Sequence, residues 1–470
     1  MSSRPATLGQ LRESGWESIP VKEEVRRNAA RRIGEGKPLV EGVLGYEDTV
    51  LPQLENALLA GHDIIFLGER GQAKTRIIRS LTSLLDEWIP MVAGSEILDD
   101  PYKPVSRYAR DLIAERGEDT PVEWVNREDR FGEKLATPDT SIADLIGEVD
   151  PIKVAEGRYL ADELTLHYGL VPRTNRGIFS INELPDLAER IQVGLLNVLE
   201  ERDVQVRGYK IRLPLDVMLV ASANPEDYTN RGRIITPLKD RFGAQIRTHY
   251  PLDTDTEISV VRQEALPISI PGIRIEVPAY MSEIVATISH LARQNAHINQ
   301  RSGVSVRLSV ANYETLVASA VRRALRLGES EAVPRISDLE SLASSTAGKV
   351  EIETIDEGRD AHVVERIMQQ AVLTVFKSSV GQDKLRDAVA EFDAGIVVHT
   401  GDDVPAAGFV DALGEMPALR DVVTHLGGRR GSDDSAAQIA SATEFVLEGL
   451  HLAKRLNKDA AGVRATYRAR

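Results

Sequence analysis

The sequence predicts an α/β fold, a parallel sheet flanked by helices, followed by a helical domain and a mostly helical C-terminal region. Three observations predict it. Short, nearly continuous apolar runs stand at Asp63-Ile-Ile-Phe-Leu67, Gly177-Ile-Phe-Ser-Ile181 and Val217-Met-Leu-Val-Ala221, as strands buried on both faces require. Helical stretches follow the first two, with Ile77, Ile78, Leu81, Leu84 and Leu85 after one and Ile191, Leu195, Val198 and Leu199 after the other. Strands alternating with helices build a parallel sheet covered on both sides. Beyond Pro251 strand signals thin out, and residues 280–328 and 360–455 carry helical periodicity.

Taken in order, residues 1–40 are polar and charged and predict a short helix plus linker. Leu51, Leu54, Leu58 and Leu59 then recur at helical spacing, with Gly61 where a C-terminal glycine is expected. Residues 41–252 form the α/β core, with the polar, irregular stretch of about 90–140 expected as an insertion. Residues 253–350 are expected as a helical lid, and 351–470 as a helical region of unknown role. Gly-Gly-Arg-Arg-Gly-Ser-Asp-Asp at 427–434 reads as a loop.

Composition narrows the function. The chain has 470 residues, 42% apolar and 27% charged, an ordinary globular balance and enough for two to four domains. With 57 Lys and Arg against 72 Asp and Glu, the net charge is −15, which argues against a dedicated nucleic-acid or anionic-membrane binder. There is no cysteine, so disulfides, thiolate metal sites and cysteine nucleophiles are excluded. The first residues lack the apolar core of a signal peptide. No run of about 18 apolar residues occurs, and a cytoplasmic location is the expectation.

The strongest motif is Gly68-Glu-Arg-Gly71-Gln-Ala73-Lys74-Thr75, set between an apolar strand and an amphipathic helix. That context marks the phosphate loop of a P-loop NTPase. Glycines let backbone N–H groups turn inward around a triphosphate, and the following helix adds its N-terminal partial charge. Lys74 would reach the β- and γ-phosphates and the Thr75 hydroxyl would bind Mg²⁺. The strict pattern has Gly where Ala73 stands.

A second strand should deliver carboxylates for Mg²⁺ and for the attacking water. Asn182-Glu183 follows Gly177–Ile181 in that position, Glu183 being the candidate general base. Asn182 occupies the place where an Asp is usual; it is neutral and should weaken Mg²⁺ binding. The same pair would suit the N-cap and first turn of the next helix, but the phosphate loop on a neighbouring strand favours catalysis. The third apolar run ends in Ser222-Ala-Asn224-Pro225, an amide able to hold the attacking water or a simple turn. Arg241, in Leu238-Lys-Asp240-Arg241-Phe242, suits an arginine finger, with Arg231 and Arg233 competing; a surface ion pair with Asp240 is the plainer reading. Arg307, in Ser302-Gly-Val-Ser-Val-Arg307, opens a helical stretch from which it could contact the nucleotide.

The fixed order of these motifs resembles the AAA+ ATPases, and within them the group containing magnesium-chelatase I subunits and MoxR-type ATPases. Gly68-Glu-Arg-Gly71 looks like the chelatase loop and Gln72-Ala73-Lys74-Thr75 like the MoxR version. Asp144–Asp150, Glu156-Gly-Arg158, Gly169-Leu170 and Arg176-Gly-Ile178 are similar to the segment before the second carboxylate motif. The similarity covers about residues 40–330. It implies that Gly68, Glu69, Arg70, Gly71, Gln72, Ala73, Lys74 and Thr75 form the Walker A loop for ATP. It implies that Asn182 and Glu183 are the Walker B pair, which with Thr75 would hold Mg²⁺. Asn224 would be sensor 1, Arg241 the finger reaching a neighbouring subunit's ATP, and Arg307 sensor 2 on the lid. It further implies a homo-oligomeric ring, usually a hexamer, that remodels a target or drives metal insertion with a von Willebrand A-domain partner. No Asp-x-Ser-x-Ser motif occurs, since Asp433-Asp-Ser435-Ala-Ala437 fails at its last position; such a domain would lie on another chain.

Other classes fit less well. AAA+ transcriptional activators carry a Gly-Ala-Phe-Thr-Gly-Ala loop, which is missing. The histidines contain no His-Glu-x-x-His, and His290 and His297 have the wrong spacing for one helix-face metal site. An ATP-binding, weakly hydrolysing assembly scaffold is the alternative; Glu183 discriminates, because a scaffold has no use for a positioned base.

Overall fold

The computed structural model describes residues 4–149, 163–200, 203–205, 212–224, 233–299, 303–352, 360–426, 435–461 and 464–470. The chain divides into two compact units, Met1–His249 and Tyr250–Arg470.

The first unit begins with α1 (Leu8–Glu13), α2 (Val21–Gly34) and α3 (Val50–Ala60), then β1 (Ile64–Leu67) and α4 (Lys74–Ser80). Strands β2 (Trp88–Val92) and β3 (Val122–Asn126) pair antiparallel around α5 (Arg107–Arg116). They are followed by β4 (Phe131–Leu135), the short pair β5 (Gly147–Val149) and β6 (Leu166–Tyr168), and β7 (Gly177–Asn182). A helix at Glu189–Glu200 leads to the pair β8 (Asp203–Gln205) and β9 (Arg212–Pro214), then β10 (Val217–Ala223), a helix at Thr236–Arg241 and β11 (Ala244–Arg247). Five strands form one parallel sheet in the order β11-β1-β10-β7-β4.

Side-chain alternation explains why the apolar runs are continuous. Ile64, Phe66, Ile178, Met218, Val220 and Ile246 pack with Leu54, Leu58, Ile77 and Ile78 on the α3–α4 side. Ile65, Leu67, Phe179, Ile181, Leu219 and Ala221 pack on the other face with Ile191, Leu195 and Leu238. Both faces are covered, so period-two polarity has no place in these strands.

Two stretches differ from the sequence expectation. Part of the 90–140 segment, expected as an insertion, is β4, an edge strand of the central sheet. Its sequence, Phe-Gly-Glu-Lys-Leu, contains no buried residue, because an edge strand lacks a neighbour on one side and needs no apolar run. Residues 1–40, expected as a helix plus linker, include two helices, of which α2 is built into the core: Val21, Val25 and Ala29 are buried with Leu54 and Leu58. Glu24 of α2 is 3% exposed and meets the 1% exposed Arg130 through two hydrogen bonds of 2.8 and 2.6 Å.

The second unit is mainly helical, with long helices at Ala279–Gln294, Val306–Leu327, Asp360–Ser379 and Ala436–Leu452. One apolar cluster runs from Tyr280 through Ile367 and Phe445 to Tyr467. The residues on either side of 350 therefore share a core. A three-stranded antiparallel sheet, Val398–Gly401, Leu456–Ala461 and Arg464–Ala469, joins the helices. No described helix is long and apolar enough to cross a membrane.

Candidate nucleotide site

The loop between β1 and α4 is shaped by its small residues. The Gly68 N–H donates to the carbonyl of Ala223 on the adjacent strand at 3.1 Å. A Cβ at Gly68 would stand 1.8 Å from the Thr248 Oγ1 and 2.2 Å from the Gln72 Oε1, so any side chain there would displace the Gln72–Thr248 pair. Gly71 has φ 75°. Ala73 has φ 55° and ψ 11°, the left-handed region, which explains why glycine suits this position and what the substitution costs.

Gln72 staples the loop. Its buried side chain accepts from the Glu69 N–H at 3.0 Å and from the Thr248 hydroxyl at 2.7 Å. The Tyr46 hydroxyl lies 3.0 Å from the Gln72 carbonyl and 2.7 Å from that of His249. Burial pushes the Tyr46 phenol up to about 12.

Three strand or helix ends converge on the loop. The Lys74 ammonium donates to the Gly68 carbonyl, to the Glu69 carbonyl at 2.8 Å and to Asn224 Oδ1 at 2.9 Å. The Asn224 Nδ2 donates in turn to Glu183 Oε2 at 2.9 Å. Lys74 and Asn224 are both buried. Asn224 follows directly on β10, and Glu183 sits where β7 ends, with φ 56° and ψ 46°. That left-handed turn lifts its side chain out of the alternation of the strand. The phosphate-loop lysine, the candidate base and the strand-end amide thus form one hydrogen-bonded chain.

Asn182 has other side-chain partners. Its Oδ1 accepts from the Ser222 hydroxyl at 3.1 Å, and its Nδ2 donates to Glu133 Oε1 at 2.5 Å. The other Glu133 oxygen accepts from Arg79 of α4 at 2.9 Å. Neither Glu133 nor Ser222 was singled out by sequence; Glu133 lies in the polar edge strand, and only a strand assignment for residues 131–135 could have signalled it. Among the described residues, no group of three or more His, Asp or Glu side chains forms a metal site of its own. Mg²⁺ does not require one, because it is held by one or two carboxylates, substrate phosphates and water. The hard oxygen donors of Thr75, Asn182 and Glu183 suit it on those terms, with Asn182 contributing no charge.

The remaining candidates are spread more widely. Arg233 and Arg241 are exposed, Arg241 ending the helix Thr236–Arg241. Arg307 belongs to the second unit, where it is exposed in the first turn of Val306–Leu327 and its N–H donates to the Ser305 hydroxyl at 3.1 Å. Asp150, Glu156, Arg158, Pro225, Arg231, Ser302, Asp433 and the loop 427–434 lie outside the described residues.

The parallel sheet, glycine-bearing phosphate loop and strand-end Asn182-Glu183 build a P-loop core of the kind found in AAA+ ATPases. Within that class, the chain is related to the magnesium-chelatase I subunits. It is 29% identical to the magnesium-chelatase 38 kDa subunit of Rhodobacter capsulatus over 234 residues, 47% of this chain and 59% of that protein. It is 28% identical to magnesium-chelatase subunit ChlI of a Nostoc species over 236 residues, 47% of this chain and 57% of the relative. The chain thus spans under two thirds of the length of these relatives. Residues 156–241 also match the family described as the Sigma-54 interaction domain. Among solved structures, a complex of magnesium-chelatase subunits BchI and BchD aligns at 23% identity and TM-score 0.35, covering 70% of this chain and 98% of that one. NtrX of Brucella abortus aligns at 14% identity and TM-score 0.41, covering 75% of this chain and 67% of that one.

Proposed function

We propose that the protein is a ring-forming, Mg²⁺-dependent ATPase whose hydrolysis remodels a partner protein or loads metal into it. The observation that carries the reading is the chain Lys74–Asn224–Glu183, with its bonds of 2.9 Å. It joins a phosphate-binding cation to a carboxylate through an amide that can serve both. The main-chain N–H groups from Gly68 to Thr75 cradle the triphosphate, and Lys74 neutralises its terminal charge. Thr75 and Asn182, with Glu183, would hold Mg²⁺, which would neutralise phosphate charge. Glu183 takes the proton of the attacking water, and Asn224 orients that water. Arg241 of one protomer acts on its neighbour's ATP, which requires a ring, and Arg307 acts from the helical lid. The kinship with magnesium-chelatase subunits supports partner-coupled work, and a von Willebrand A-domain protein on another chain is the proposed partner. A cytoplasmic location and hexameric ring size belong to the same reading.

Phosphate release by wild type, Lys74→Ala and Glu183→Gln, alongside particle mass with and without ATP, tests it. The expected result is ATP-driven assembly with turnover lost in both variants. Equal background rates in all three proteins, with assembly intact, would establish instead the weakly hydrolysing scaffold that neutral Asn182 favours.

A further inference from the structure

The neutral side chain at 182 leaves the strand end short of a charge, and the fold has a carboxylate beside it. Glu133 of β4 pairs in register with Ser180 of β7. Paired residues share a sheet face, and Asn182 lies two positions on, so Glu133, Ser180 and Asn182 face the same side. That side is the one covered by α4, since Phe66, Ile178 and Val220 of the same face pack with Ile77 and Ile78. Arg79, which reaches Glu133 at 2.9 Å, is four residues after Thr75, and i, i+4 positions lie on one helix face. The Thr75 face of α4 therefore looks towards the β7–β4 edge. There, Glu133 Oε1 accepts from the Asn182 amide at 2.5 Å, which draws electron density onto the amide oxygen.

We infer that Glu133 supplies, through Asn182, the negative charge of the Mg²⁺–nucleotide site that a strand-end Asp would otherwise carry, and that Arg79 tempers it. The inference rests on the proposed ATP site. Glu133 acts through Asn182 and is a positioning residue.

Binding of a fluorescent ATP analogue to the full chain, followed as Mg²⁺ is titrated, tests this. Glu133→Gln should raise the half-saturating Mg²⁺ about tenfold, as loss of an outer-shell partner does, with metal-free nucleotide affinity unchanged. Arg79→Met, which frees Glu133 from its cation, should lower the Mg²⁺ requirement. Adding Asn182→Asp to Glu133→Gln should return it towards wild type. Unchanged half-saturation in Glu133→Gln protein that melts like wild type would overturn the inference, as would failure of Asn182→Asp to restore it. Wild type that binds no nucleotide with or without Mg²⁺ would instead remove the proposed function, and this inference with it.

Discussion

The Asn224 amide donates to the Glu183 carboxylate at 2.9 Å, while its oxygen accepts from Lys74. A neutral dipole thereby separates a buried cation from the candidate base and fixes both orientations. Asn224→Ala should lower phosphate release roughly a hundredfold, the usual cost of one positioned donor, while ATP binding persists. Paired measurements of phosphate release and nucleotide binding check this; an unchanged rate would dissociate Asn224 from the chemistry.

Ala73 adopts φ 55°, a conformation costing a non-glycine residue about 1–2 kcal/mol. Ala73→Gly removes that strain but loosens the unfolded chain by about 0.4–1 kcal/mol. The net effect should be neutral to mildly stabilising. Ala73→Val, β-branched in a left-handed position, should destabilise and abolish ATP binding. Denaturant melts and nucleotide titrations of the two variants separate these outcomes.

Glu24 and Arg130 are buried together, and Glu24 Oε1 also accepts from the Asp86 N–H at 2.5 Å. Glu24→Gln leaves the guanidinium buried without its counter-charge, which should cost about 3–5 kcal/mol. Urea unfolding of the variant reads the loss directly. A change below 1 kcal/mol, taken as about the worth of an exposed pair, would mean that α2 is not tied to the sheet through this pair.

Tyr46 gives a pH signature. Its phenol is raised from 10.0 to about 12, chiefly by burial, so the folded state holds the proton more tightly than the unfolded one. Its contribution is complete below pH 10 and is lost as pH rises through 12, at about 1.4 kcal/mol per unit. Tyr46→Phe lacks this titration. The stability difference between wild type and Tyr46→Phe should therefore shrink between pH 10 and 12 in parallel urea melts.

Much of the site is legible in the sequence. The run Ile64–Leu67 leading into Gly68–Thr75 states a strand, a loop and a helix in order, because local backbone demands and apolar continuity are written in adjacent residues. Glu183 and Asn224 were readable for the same reason, each ending an apolar run. The left-handed backbone of Ala73 and Glu183 was not, since neither residue type announces it.

The sequence by itself determined the parallel core, the phosphate loop and the acidic strand end, all features whose causes lie within a few residues of each other. Only the tertiary structure decided that β4 closes the sheet edge and that Gln72 locks the loop to Thr248. It also decided that Glu133 and Arg79 attend Asn182. Those pairings join residues 49 to 176 positions apart, and a polar side chain on an edge strand carries no local pattern that names its partner.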